Sequence, residues 1–315
     1  MDLDPGIQFV LSQLNQSSVS QSGDSSRPNL DEFRVIFDNI SRLASGSVDS
    51  IRSVIDFELH LKGRSIKVRE FIPEDCSRSA YGIFFHGGGF THGSIESHHG
   101  VAAQLAVATR SRIYSIDYRL APEFPFPAAV EDCIDATKAI IAMSDDNSKM
   151  PLFLAGDSAG GNLSLVTSIE LNSESTEQVR AQLIFYPVVS FEERPSVERF
   201  GSGYFLTRDD LIYYRQNYLP EEDGLKDPRA NVLMESRLNA SPPTLIVSAD
   251  HDPLIDEAYV LRESFDEVGV RVDHVVFEGV IHGFISMGAF TTKSKEALDL
   301  CASFLDEYLS TRSPQ

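Results

Sequence analysis

Basic residues are scarce in this chain. Lysine and arginine number 27 against 47 aspartates and glutamates in 315 residues, for a formal net charge of -20 and a pI near 4.7. Long-range repulsion on that scale opposes nucleic acid and anionic membranes as partners and disfavours strongly anionic substrates. The bland reading of so much acid is solubility. Cysteine is scarcer still: Cys76, Cys133 and Cys301 are odd in number and have no metal-ligand spacing. Cys133 shares a helical face with Val130, Thr137 and Ile140, and Cys301 lies beside Leu298, Phe304 and Leu305, so both are expected as small buried hydrophobes. No window approaches the roughly 20 apolar residues that span a bilayer. The opening MDLDPGIQF has neither the basic segment nor the apolar stretch of a secretory signal. The expectation is a soluble, cytoplasmic enzyme or binding protein.

What the chain does have is alternation. Strand-like runs at 54–61, 65–72, 80–85, 112–116, 151–155, 181–186, 244–249 and 270–277 are interleaved with helical patterns at 97–108, 127–143, 160–171, 256–268 and 293–309. Several runs, such as YGIFF and TLIVSA, are continuously apolar, as strands buried on both faces are. The pattern predicts a mostly parallel eight-stranded sheet flanked by helices, an α/β fold, with the first two strands forming an antiparallel hairpin at one edge. Two regions break the alternation. Residues 1–50 carry helical patterns at 7–14 and 30–45, separated by the polar, supposedly mobile QSSVSQSGDSSRP, and residues 190–237 contain an aromatic helix near DDLIYYRQNYL. Both are expected to fold into a lid above the sheet.

The clearest chemical signal is PLFLAGDSAGGNLSLVTS. A strand entering Gly156-Asp157-Ser158-Ala159-Gly160 and leaving as a helix fits a nucleophile elbow, in which a sharp turn lifts the Ser158 hydroxyl above the sheet. A capped βα turn is the alternative. Serine needs a base to become a nucleophile. His282, in FEGVIHGFIS, follows the last strand at the edge where strand C-termini gather. The acid is expected after the seventh strand, in TLIVSADHDPLIDEA: Asp252 first, Asp250 second, with Asp256 less well placed. Asp252 could also cap the following helix, since one carboxylate has two oxygens. FFHGGGFTHGS then has a use. Glycines after the third strand let bare amides approach a developing oxyanion, and the expected donors are Gly87, Gly88 and Ala159. A phosphate cradle would want GxGxxG or a Lys-Ser/Thr pair, and the loop has neither.

Together, HGGGF, DYRLAPEFPFPAA, GDSAGGN, HDPLIDEA and HGF occur in the order and positions seen in hormone-sensitive-lipase-like esterases, which the chain resembles over residues 50–310. The resemblance implies an α/β-hydrolase fold, with a helical cap from residues 1–50 and 190–237 over a catalytic body of residues 51–189 and 238–315. It also implies Ser158 as nucleophile, His282 as base, Asp252 as orienting acid, Gly87, Gly88 and Ala159 as oxyanion donors, and no metal or organic cofactor. Expected activity is hydrolysis of small short- to medium-chain carboxylic esters through an acyl-enzyme, possible homodimerisation included. The alternatives are cleavage of amides, lactones or thioesters by the same triad, or a hormone receptor of the kind found in one plant branch. Those receptors have lost the histidine that this chain keeps as His282.

The remaining motif residues have quieter expectations. His86 braces the glycine loop, His98 and His99 begin a helix, and Asp117 and Asp157 hold loops by hydrogen bonds. Tyr118 either lines the pocket or packs. His92 stands where an apolar residue is expected; a surface or structural role comes ahead of one in the acyl pocket. Aromatic residues of the two irregular regions, including Phe33, Phe37, Tyr204 and Tyr214, are assigned mainly to packing the lid onto the body.

Overall fold

Continuous apolar runs become the centre of an eight-stranded sheet. The computed structural model describes residues 2–19, 29–143, 149–174 and 178–309. Its strands are β1 (Ile51–Leu61), β2 (Arg64–Pro73), β3 (Tyr81–Phe85), β4 (Arg112–Asp117), β5 (Leu152–Asp157), β6 (Val179–Phe185), β7 (Thr244–His251) and β8 (Val272–Ile281). They lie in the order β1-β2-β4-β3-β5-β6-β7-β8. The β1–β2 pair is antiparallel, as the short Lys62-Gly63-Arg64 link requires; β2–β4 is also antiparallel, and the other pairs are parallel.

Every residue of β3 and β5 is buried. Ile83 and Phe85 face one cluster with Cys133, Leu163 and Phe265, while Phe84 faces another with Val101, Leu298 and Cys301. Helices α4 (Ala128–Ala142), α5 (Ala159–Glu174) and α8 (Ile255–Glu267) contribute to the first cluster; α3 (His99–Thr109) and α9 (Lys293–Leu309) contribute to the second. The two cysteines are the buried small hydrophobes expected of them. Truncating a core phenylalanine such as Phe84 to alanine costs about 3–5 kcal/mol, through lost transfer energy and the cavity left behind.

Helices α1 (Pro5–Val19) and α2 (Leu30–Ala44) precede the sheet, and α6 (Pro195–Phe200) and α7 (Arg208–Tyr218) lie between β6 and β7. Asn29 caps α2 through the Glu32 amide, and Thr207 and Asp210 cap α7 reciprocally. α1 runs on through residues 16–19 of the polar separator; residues 20–28 lie outside the described residues. Arg34 of α2 donates to the carbonyls of Thr91 and Ala121 and pairs with Glu123, so α2 is tied to the glycine loop and to the loop after β4. Among the described residues no helix is long and apolar enough to cross a membrane.

Candidate active site

The turn after β5 is as tight as the sequence implies. Ser158 has φ +54°, in the left-handed region that a non-glycine residue rarely enters, and so stands at the head of α5. A Cβ on Gly156 would sit 2.2 Å from the Gly160 carbonyl oxygen, and one on Gly160 would sit 1.9 Å from that of Phe85. Both flanking glycines are therefore steric necessities of the turn.

Ser158, His282 and Asp252, expected together from sequence, do meet. Ser158 Oγ is 2.9 Å from His282 Nε2, and His282 Nδ1 is 2.8 Å from Asp252 Oδ2. All three are buried, Asp252 completely. β8 runs four residues further than predicted, to Ile281, and so delivers His282 directly from the strand end; Gly283, at φ +81°, turns the chain away. The Asp252 carboxylate does have two partners, its Oδ1 accepting the Leu254 amide at 2.8 Å. That bond closes a local turn ahead of α8, whose N-cap position belongs to Leu254. Asp250, the second choice, pairs with His251 and accepts the Val280 amide, and Asp256 binds the Ser196 amide and Arg199.

The glycine loop differs from expectation by one residue. The Gly87 amide donates to Asp157 Oδ1 at 2.8 Å, so it is not free to meet an oxyanion. The amides of Gly88 and Gly89 make no hydrogen bond among the described residues, and both glycines line the cavity above Ser158. Ala159, the first residue of α5, also has its amide outside the helical ladder. A Cβ on Gly88 would strike the His92 carbonyl at 2.1 Å, and one on Gly89 would enter the Tyr214 ring at 2.3 Å. The sequence pointed to the loop, but the offset rests on a tertiary bond between residues 87 and 157.

Asp157 anchors a second buried network that the sequence only outlined. His98 Nε2 is 3.4 Å from Asp157 Oδ1, and its Nδ1 is 2.9 Å from Ser97 Oγ. Burial pushes the Asp157 carboxyl up, but the field and hydrogen bond of His98, with His86 and His282 behind it, outweigh that and hold it below its ordinary value. His86 braces the loop as expected: Nδ1 is 2.8 Å from the Gly87 carbonyl oxygen, and the ring stacks on Tyr118 at 4.2 Å. Burial drives the His86 imidazole down to about 3. Tyr118 does not line the cavity; its hydroxyl donates to the His86 carbonyl. His98 and His99 have different surroundings: His99 lies against Arg69 and Phe71, and among the described residues no cluster of three or more candidate metal ligands occurs.

Above Ser158 lies a cavity of about 850 Å³. Phe9, Phe33 and Phe37 from α1 and α2 line it, as do Phe205, Leu206 and Tyr214 from the segment before β7. Most of the aromatics assigned to packing are thus cavity wall; Tyr204, against Phe200 and His251, is an exception. His92 is neither superficial nor polar in its surroundings. It is 4% exposed and is enclosed by Phe33, Phe37 and Tyr214.

The family profile described as the alpha/beta hydrolase fold matches residues 82–286. The chain belongs to that family. As an α/β-hydrolase it bears out the resemblance to hormone-sensitive-lipase-like esterases. It is 31% identical to the ethyl acetate hydrolase of Pseudomonas putida over 287 residues, 89% of this chain and 90% of that protein. Among solved structures, it is similar to a hyperthermophilic esterase from the archaeon Pyrobaculum calidifontis, with TM-score 0.89 and 31% identity over 98% of this chain and 99% of that one. The thermostable carboxylesterase EstE1, from a metagenomic library, aligns with TM-score 0.82 and 33% identity over 90% of this α/β-hydrolase and 99% of its own chain.

Proposed function

We propose that this carboxylic ester hydrolase cleaves short- to medium-chain esters through an acyl-enzyme on Ser158. His282 takes the Ser158 proton as the hydroxyl oxygen attacks the ester carbonyl, and the oxyanion rests on the amides of Gly88, Gly89 and Ala159. The same imidazole returns the proton to the departing alcohol. Water then repeats the sequence against the acyl-enzyme, releasing the acid. Asp252 keeps the His282 ring oriented and stabilises it when it is protonated.

The observation that carries the reading is the chain of contacts from Ser158 Oγ through His282 to Asp252, at 2.9 and 2.8 Å. The cavity, with walls of phenylalanine and leucine, supports an apolar ester, and the ethyl acetate hydrolase relative supports a small one. In the same proposal, residues 1–50 and 190–237 are the cap, and residues 51–189 and 238–315 the catalytic body. Free thiols at Cys76, Cys133 and Cys301 support a cytoplasmic setting. Homodimerisation belongs to the proposal too, and sedimentation at micromolar protein tests it.

A fluorophosphonate probe should label Ser158 stoichiometrically, and Ser158→Ala should abolish the label. An unlabelled, folded wild-type protein would instead favour the receptor alternative. On a series of p-nitrophenyl esters, kcat/KM should fall steeply beyond about ten acyl carbons, because a pocket of this size houses a drug-sized molecule. Equal rates on long-chain triglyceride emulsions would overturn that preference. Amide, lactone and thioester panels separate the remaining chemistries of the same triad.

A further inference from the structure

His92 is a buried polar residue packed against the aromatic part of the cavity wall. Its ring lies edge-on to Phe37 at 4.4 Å and to Phe33 at 5.1 Å, with Tyr214 at 5.3 Å on another side. Nδ1 is 3.2 Å from Thr91 Oγ1. Nε2 makes no hydrogen bond among the described residues and, unlike Nε2 of His86, is not sealed from solvent-accessible space. His92 lines the cavity above Ser158, so a group held there can approach its ring.

Several other polar side chains on the cavity wall are already engaged. Asp210 pairs with Thr207, Ser190 and Arg194 pair with Glu257, and His98 lies between Ser97 and Asp157. His92 is also anchored beside the proposed chemistry: its amide donates to the carbonyl of Gly88, which lines the same cavity as Ser158. Burial holds the imidazole down to about 3, so near neutral pH it carries no charge and pairs with uncharged groups. A hydroxyl suits such a nitrogen in either tautomer, because it can both donate and accept.

We propose that His92 Nε2 hydrogen-bonds a hydroxyl group on the substrate, so that the preferred esters are hydroxylated in the acyl or the alcohol part rather than plain alkyl esters. This rests on the esterase reading above and narrows its substrate class. A matched ester without the hydroxyl leaves Nε2 buried against hydrocarbon, and a site built around a polar group discriminates against ligands that cannot pair with it.

The experiment compares kcat/KM for matched ester pairs. One arm sets p-nitrophenyl hexanoate against its 3-hydroxy and 6-hydroxy analogues; the other sets hexyl hexanoate against the hexanoate monoester of hexane-1,6-diol. At least one hydroxylated ester should be favoured by about five- to fiftyfold. His92→Phe, which keeps an aromatic ring against Phe33 and Phe37, should bring that ratio to within about twofold of unity. The arm that responds identifies the side of the ester that His92 meets. Wild-type ratios near unity in both arms overturn the proposal without any variant, as does a high ratio that survives in His92→Phe. If His92→Phe fails to fold, His92→Leu serves for the same comparison. Fluorophosphonate labelling of Ser158 and turnover of p-nitrophenyl acetate, measured on the same samples, report the esterase reading separately: their loss in the wild type counts against that reading.

Discussion

Two serine–histidine–aspartate chains lie within one molecule. In the first, Asp252 holds His282, whose free nitrogen meets Ser158 Oγ at 2.9 Å. In the second, Asp157 faces His98 across 3.4 Å, and the other nitrogen of His98 meets Ser97 Oγ, again at 2.9 Å. The residue types are the same, but the carboxylate stands 2.8 Å from its imidazole in the first chain and 3.4 Å in the second. Ser97, however, is fully buried, with its hydroxyl donating to the Ser94 carbonyl and accepting the Ser94 amide. Ser158, on a strained turn, lines the cavity, as do Gly88 and Gly89, whose amides make no hydrogen bond among the described residues. Asp157 spends its better-placed oxygen on Gly87 as well as on His98. In the mechanism proposed above, an imidazole between a hydroxyl and a carboxylate is not by itself enough for catalysis. The hydroxyl must also reach substrate, and donors must await the charge it creates.

Breaking each chain at the same link should separate them. Ser158→Ala should lower kcat on p-nitrophenyl acetate by about 10⁴- to 10⁶-fold, as triads act as units. Ser97→Ala should stay within about tenfold of wild type in the same assay. At the carboxylates, Asp252→Asn should cost about 10³- to 10⁴-fold in kcat, through the wrong histidine tautomer. Asp157→Asn should cost only about 10- to 100-fold, because it loosens the glycine loop without touching the base. Gly89→Ala, which sets a methyl group into the Tyr214 ring and strains a residue at φ +57°, should lower kcat by about 10²-fold with Ser158 still labelled by fluorophosphonate.

The smallest effect concerns pH and the buried histidines outside the first chain. His86 and His92 are both held near 3 by burial, whereas the unfolded chain protonates histidine at about 6.5. Between those values the unfolded state binds more protons, so these groups make stability fall as pH falls through that window, and the penalty is absent above it. Urea unfolding at pH 7 and pH 5 should show the loss, and His92→Phe should make the slope shallower by about 1.4 kcal/mol per pH unit.

Much of this was legible in the sequence for identifiable reasons. Strand runs such as YGIFF are apolar throughout because helices cover both faces, and GDSAG is written by collisions that any Cβ at positions 156 or 160 would cause. The order of Ser158, Asp252 and His282 follows the strands that deliver them. What the sequence did not disclose depends on long-range contacts. The loss of Gly87 as a free donor needs Asp157, 70 residues away. Tyr118 turns inward to the His86 carbonyl, and His92 is buried only because α2 and α7 close over it. Aromatic residues of the two irregular regions give the same local signal whether they face a core or a cavity, so Phe33 and Tyr214 could not be assigned by pattern.

Arg34 gives the roof and the floor a common fate. Its guanidinium grips the Thr91 and Ala121 carbonyls, so exchanging the first fifty residues for those of a distant relative would also pull on the segment that carries Gly88 and Gly89. Grafts intended to alter selectivity in this scaffold should transplant the helix and the glycine segment together, because Arg34 binds one to the other.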